Sequence, residues 1–168
     1  MSRRHLGDGQ WSKKIVFRTQ ADRMWFYASF IIEIPERTIP MDWKIELVSV
    51  PVSDVDRAKT FYVDQVGFIA DHDQVVSDDL RFVQLTPPGS ACSICFGVGL
   101  TEMEPGSQKG IQIVIPNADE ARQHLLDNGV QASDVDEQSW GRFVYFADPD
   151  GNTWALQELP DYSKMNQQ

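Results

Sequence analysis

The sequence predicts an α+β fold built from two copies of a βαβββ unit. Three observations predict it. First, the segment Leu47 to Arg57 (LVSVPVSDVDR) aligns with Gln112 to Arg122 (QIVIPNADEAR) at an offset of 65, matching Pro51 with Pro116, Asp54 with Asp119 and Arg57 with Arg122. Second, Arg81-Phe82-Val83 aligns with Arg142-Phe143-Val144 at an offset of 61. Third, each copy then reaches a proline-glycine turn, Pro87-Pro88-Gly89 and Asp148-Pro149-Asp150-Gly151-Asn152, ahead of a last apolar strand.

The elements follow in order. Residues 44–51 are rich in Val and Ile and suit a strand. Ser53 or Asp54 can cap the next helix by accepting from its free N–H groups. Ala58, Phe61, Tyr62 and Gln65 share one helical face, and Gly67 suits the left-handed residue that stops the helix. Strands through Arg81–Val83 and over Ala91–Phe96 complete the unit. In the second copy Asn117 is the cap, Ala118, Ala121 and Leu125 the buried stripe, Gly129 the stop, and Thr153–Glu158 the last strand. The units therefore cover 41–100 and 110–160, with a polar, turn-rich linker at 101–109 and a tail at 161–168.

Residues 1–40 read differently. They carry seven Lys and Arg against four Asp and Glu, a net +3; the whole chain carries −10, which leaves −13 on residues 41–168. Met24–Ile32 is apolar but spans only nine residues, too few to cross a bilayer, and no small-residue cleavage site follows it. The segment reads as an N-terminal extension, or as a strand over Phe26–Ile34 that pairs with a sheet edge or a partner subunit. Eighteen aromatic residues among 168 supply a core. The acidic balance speaks against nucleic acid and anionic membranes as partners. Two cysteines make no disulfide framework, so the expected location is the cytoplasm.

Strand parity sorts the side chains into two faces. The helix-side face collects Val48, Val50, Val83, Leu85, Cys92, Ile94 and Phe96 in the first unit, and Ile113, Ile115, Val144, Phe146, Trp154 and Leu156 in the second. The opposite face collects Leu47, Ser49, Phe82, Gln84, Ser93 and Cys95, then Gln112, Val114, Phe143, Tyr145, Ala155 and Gln157. Aromatic bodies, amides and small residues together suit a small-molecule pocket; a second core or a dimer interface is the alternative. Trp140, at a strand mouth, could stack on a flat ligand. Arg142 follows the helix-side parity with its repeat partner Arg81, so both read as structural.

The motif from Val52 and Asp54 through Ala58 to Phe61-Tyr62, with Phe146-Ala-Asp-Pro-Asp-Gly-Asn152 late in the chain, resembles the vicinal oxygen chelate superfamily. That group includes glyoxalase I, bleomycin-resistance proteins, fosfomycin-resistance proteins and extradiol dioxygenases. The resemblance covers about 120 residues. It implies paired βαβββ units that curl into a half-open barrel of mixed sheet with a ligand pocket inside, often completed in a homodimer. It also implies metal ligands on the first and last strand of each unit, positions that fall on Leu47, Ser93, Gln112 and Ala155, where the family pattern wants His or Glu. Leucine and alanine cannot donate, and Ser93 and Gln112 are weak neutral ligands. The expectation is therefore no metal and no cofactor, and a small organic molecule as partner.

Other signals carry less. Cys92-Ser-Ile-Cys95 is formally C-x-x-C, but on a strand positions i and i+3 point to opposite faces and cannot easily bond. His72, between Asp71 and Asp73, reads as solvated, and His124 as a surface residue. Asp148 and Asp150 lack the later Glu of a calcium loop and read as turn residues. Two functional readings remain. One is a binding module for a small organic molecule, a cationic drug among the candidates. The other is a lyase or dioxygenase with an atypical ligand set, in which Gln112, Gln157 or Tyr145 polarises substrate and His72 or Glu46 serves as base. A purely structural dimer module is the third.

Overall fold

A computed structural model describes residues 42–162. The readings of residues 1–40 and of most of the 161–168 tail lie outside the described residues.

The first unit contains β1 (Leu47–Ser49), α1 (Val55–Thr60), β2 (Ile69–Ser77), β3 (Leu80–Thr86) and β4 (Ser93–Phe96). The second contains β5 (Ile111–Ile115), α2 (Ala118–Asp127), β6 (Asp136–Gln138), β7 (Gly141–Ala147) and β8 (Thr153–Glu158). Each unit forms its own four-stranded mixed sheet, ordered β1-β4-β3-β2 and β5-β8-β7-β6. In both, the first strand pairs parallel with the last and the other pairs are antiparallel. The duplication read from the sequence is therefore a duplication of topology.

The helix termini are the ones the residue types dictate. The Asp54 side chain accepts from Arg57 N at 3.0 Å, and the Asn117 side chain from Glu120 N at 3.0 Å. Each relieves one free N–H of the first turn. Gly67 (φ 95°) and Gly129 (φ 78°) stop the helices in the left-handed region that a Cβ would strain. One local feature departs from the expected helix. After Thr60 the winding widens to a π-helical turn, Phe61–Val66.

Both sheets contribute to one shared core. Val83, Leu85, Ile94 and Phe96 from the first sheet and Val144, Phe146, Trp154 and Leu156 from the second belong to a single buried cluster with both helices. These are the residues of helix-side parity. Trp154 lies at its centre: its ring stacks on Phe146 (6.0 Å, 7°) and meets Tyr62 edge-on (5.6 Å, 66°) and Phe68 edge-on (5.8 Å, 76°). Because both sheets turn this face to one core, their other faces look away from it.

The units are also joined by buried polar groups. Tyr62 Oη accepts from Trp154 Nε1 at 3.1 Å and donates to Asp148 Oδ2 at 2.8 Å. Asp148 Oδ1 accepts from the backbone N of Asp150 and of Asn152, both at 2.9 Å, and Asn152 Nδ2 donates across to Pro51 O at 2.9 Å. The Asp-Pro-Asp-Gly-Asn turn is therefore more than a turn: its buried side chains dock the second unit on the first. Burial, followed by the Asp148 carboxylate, pushes the Tyr62 hydroxyl far above the ordinary phenol range. A second pair of contacts crosses the seam. Gln65 Nε2 donates to Asn128 O at 3.1 Å, and His124 Nε2 lies 3.1 Å from Val66 O. Each unit thus caps the helix end of the other, a role for His124 that the sequence does not announce.

Candidate functional site

The register places the residues of the outward parity side by side. In the first sheet Leu47 pairs with Ser93, Ser49 with Cys95, and Cys95 with Gln84. In the second, Gln112 pairs with Ala155, Val114 with Gln157, Phe143 with Gln157, and Tyr145 with Ala155. Phe82, on β3, shares the side of Gln84. The twelve candidate residues thus form two groups: six on the first sheet, and on the second Gln112, Phe143, Tyr145, Ala155 and Gln157 with Trp140 at the mouth of β7. Each group lies on the side of its own sheet opposite the residues that enter the shared core.

The first face is polar. Ser93 Oγ sits 2.6 Å from Thr86 Oγ1 and accepts from Gln84 Nε2 at 3.3 Å; Thr86 Oγ1 also donates to the Asp71 carboxylate. Ser49 Oγ lies 3.6 Å from Cys95 Sγ. The second face is aromatic. The Phe143 and Tyr145 rings are parallel within 5° at 6.1 Å. Gln157 Oε1 accepts from the Gln112 amide, and its own amide donates to Trp140 O at 2.9 Å. Tyr145 Oη donates to Asp136 Oδ2 at 3.4 Å; partial burial, then that carboxylate, raises the Tyr145 hydroxyl pKa. Trp140 is 59% exposed, Val114 60% and Tyr145 43%, whereas Phe143 and Gln157 are buried, so only the edge of this face is open to an incoming group.

The site holds residues that sequence reasoning missed. Thr86 shares the parity of Phe82 and Gln84, and carrying β3 one pair further would have found it. Asp71 sits at a bulge between Ala70 and His72, where alternation gives no warning. Asp136 and Gln138 lie on β6, three polar residues with no apolar alternation to mark a strand. Trp140 stands at the mouth of β7, as expected. Arg142 is occupied elsewhere: it pairs with Asp119, Glu137 and Glu158 at 2.8–2.9 Å on the helix side. Arg81 likewise grips Asp73 through two nitrogens at 2.9 Å, which holds that carboxyl well below its usual range. Both arginines tie sheet to helix.

The metal positions implied by the family pattern can be tested on chemistry. Leu47 and Ser93 are direct neighbours in one sheet, Gln112 and Ala155 in the other. Two of the four have no donor atom. The hydroxyl of Ser93 and the amide of Gln112 are engaged with Thr86 and Gln157. Among the described residues no three His, Cys, Asp or Glu side chains converge as an ion would require. The donor set does not fit the family metal. Cys92 and Cys95 are both free thiols. A cavity of about 330 Å³ opens elsewhere, along the seam by Phe68, Pro87, Ile113 and Leu125. Apart from His124, which already contacts Val66 O, its side chains are apolar, so little there could orient a ligand.

Comparison with known proteins agrees with this architecture. Residues 44–156 match the Glyoxalase/Bleomycin resistance protein/Dioxygenase superfamily, and the chain belongs to that family. It is similar to the crystal structure of TnmS3, described as an antibiotic binding protein from Streptomyces sp. CB03234. The two share 34% identity with a TM-score of 0.66 over 71% of this chain and 98% of that one. A glyoxalase/bleomycin resistance protein from the same organism is 36% identical, with a TM-score of 0.62 over 68% of this chain and 100% of the other. An uncharacterized protein of Bacillus subtilis, YetH, is 26% identical over 68% of this chain and 98% of its own.

Proposed function

We propose that this protein binds a small organic molecule, without a metal and without transforming it, at a site that two copies of the chain build together. The observation that carries the reading is the pair of in-register couples Leu47–Ser93 and Gln112–Ala155: the strands that hold ligands in metal-dependent relatives here offer two aliphatic side chains and two engaged neutral ones. The faces around them keep the aromatic rings, amides and hydroxyls with which an organic ligand is held and oriented. The likeness to an antibiotic-binding protein at 34% identity supports the same reading.

A second copy follows from the edges. β1 and β5 each end their sheet, with one side unpaired; Trp43 and Ile45 are exposed in the segment just before β1, and Val114 is exposed on β5. Laying β1 of one protomer beside β5 of another joins a polar face to an aromatic one and covers both. The homodimer would act in the cytoplasm, where free thiols such as Cys92 and Cys95 persist. Among the described residues no helix is long and apolar enough to cross a membrane.

The test is a thermal-shift screen of organic metabolites and drugs on the full chain, with and without chelator, followed by mass spectrometry of any hit after prolonged incubation. A stabilising compound recovered unchanged, with the same shift in chelator, is expected. A compound converted to product in a metal-dependent reaction would overturn the reading in favour of a lyase or dioxygenase. Light scattering should give twice the chain mass.

A further inference from the structure

We infer that the cavity at the helix-side seam is a second ligand site, separate from the outward faces, for a small uncharged molecule of one or two aromatic rings. The repeat itself shows what is missing there. Counted from the helix-stop glycines Gly67 and Gly129, an offset of 62, Tyr62 corresponds to His124. The same offset pairs Ser93 with Ala155 and carries Trp154 onto Cys92; the offset of 61 along β3 and β7 carries Asp148 onto Pro87. At one seam Tyr62, Trp154 and Asp148 are buried, and the Tyr62 hydroxyl bonds to both of the others. At the other the equivalents are an imidazole, a thiol and a proline ring. That seam has neither phenol, indole nor carboxylate, and smaller side chains in the same backbone frame leave space.

The cavity of about 330 Å³ opens there, with His124 and Pro87 in its wall. It reaches the second sheet, where Ile113, Ile115 and Leu156 line it. The equivalent cleft at the first seam, bounded by Phe61, Gln65, Val130 and Asp148 among others, has no residue of β1 or β4 in its wall. Apart from Val114, none of the outward-face candidates lines the cavity. Its wall decides the ligand class. His124 is the one polar side chain, and both ring nitrogens have neighbours in the protein: Nε2 lies 3.1 Å from Val66 O and Nδ1 3.5 Å from Asn128 Nδ2. No Lys, Arg, Asp or Glu lines it, so a charged group would lose its water and gain no partner. An apolar molecule needs no orienting group: an apolar cavity of about 150 Å³ takes up benzene, and this one is about twice that volume. Phe68, stacked on Tyr62 at 5.6 Å, places a ring in the wall against which a flat aromatic packs.

The experiment titrates three two-ring probes into the full chain at pH 7, with calorimetric detection: 2-naphthol, which is uncharged there, 2-naphthoate and 2-naphthylmethylammonium. 2-Naphthol should bind about tenfold or more tightly than either ion, because an unpaired buried charge costs at least that much. Ala121→Phe puts a ring into the cavity from α2 and should weaken 2-naphthol about tenfold or more. A compound whose binding Gln84→Ala weakens should keep its affinity for Ala121→Phe. Location is read without any variant: a crystal soaked in 6-bromo-2-naphthol should show its anomalous bromine peak among Phe68, Ile113 and Leu125. Failure of 2-naphthol to bind, or ions bound as tightly, would overturn the inference. So would bromine only at the outward faces, a second copy's side chain filling the cavity, or unchanged 2-naphthol affinity in an Ala121→Phe protein that circular dichroism shows folded. Each of these results leaves the proposed function standing, because the outward faces lie on the other side of the sheets.

Discussion

The two faces of each sheet share one backbone repeat and have opposite fates. On the helix side the repeat keeps its chemistry: Val48 and Ile113, Val83 and Val144, Leu85 and Phe146, Ile94 and Leu156 are apolar in both units and meet in one core. On the outward side equivalent positions part company. Ser49 corresponds to Val114 in the repeat, Gln84 to Tyr145, and Ser93 to Ala155. Packing imposes the same demand on both copies, because each must fill the same kind of space at crystal-like density. The outward positions lie outside that shared core, although Ser93, Cys95, Phe143 and Gln157 are buried, and there the two copies diverge into a polar half and an aromatic half. Substitutions on the two sides should therefore differ in what they break.

The greatest loss is expected at the centre of the shared core. Trp154→Ala removes an indole that touches three other rings and should cost about 3–5 kcal/mol in urea denaturation. Because Tyr62 and Phe68 come from the other unit, the two units should still unfold together; separate transitions would mean that they do not share one core.

Tyr62→Phe comes next. It leaves Trp154 Nε1 without its acceptor and Asp148 without one donor, at about 1–3 kcal/mol. It also has a pH signature. The folded-state pKa of Tyr62 is raised, so the folded protein holds this proton more tightly than the unfolded chain does. Its contribution is complete below the ordinary phenol pKa, near 10, and is lost as pH rises beyond it. Wild-type stability should fall above about pH 10 more steeply than that of Tyr62→Phe, measured by urea denaturation across that range.

Asn117→Ala deletes one helix cap and should cost about 1 kcal/mol by the same method. On the outward face Gln84→Ala should change stability by no more than about 0.5 kcal/mol, yet weaken the ligand found by the thermal-shift screen. A Gln84 variant that unfolds readily would mean that this face is a second core.

How much of this was legible in the sequence follows from the same division. Residues whose neighbours are apolar announce themselves: strands β3, β4, β5, β7 and β8 and both caps could be placed from Val, Ile, Phe and the Asp54 and Asn117 side chains. β2 and β6 could not. Asp71, His72 and Asp73 read only as a polar strand end, and pairing with β3 extends the strand over Ile69–Ser77. β1 is shorter than the expected 44–51 because its parallel pairing with β4 covers only Leu47–Ser49. The π-helical turn and the seam contacts of His124 and Gln65 depend on packing between units, which no local pattern encodes. Of the candidate site, the parity of positions on β1, β3, β4, β5, β7 and β8 was readable, whereas the parity of β2 and β6 and the packing of both sheets on one core were not.

If these faces bind an organic ligand with no ion between protein and ligand, metal content should be irrelevant to affinity. Isothermal titration puts this to the test. The best compound from the thermal-shift screen is titrated into protein stripped with chelator, and again into protein saturated with zinc, manganese or ferrous iron. The affinity should be the same in every sample, with no metal retained stoichiometrically after gel filtration. Binding that appears only in a metal-loaded sample, with one ion held per site, would refute metal-free binding.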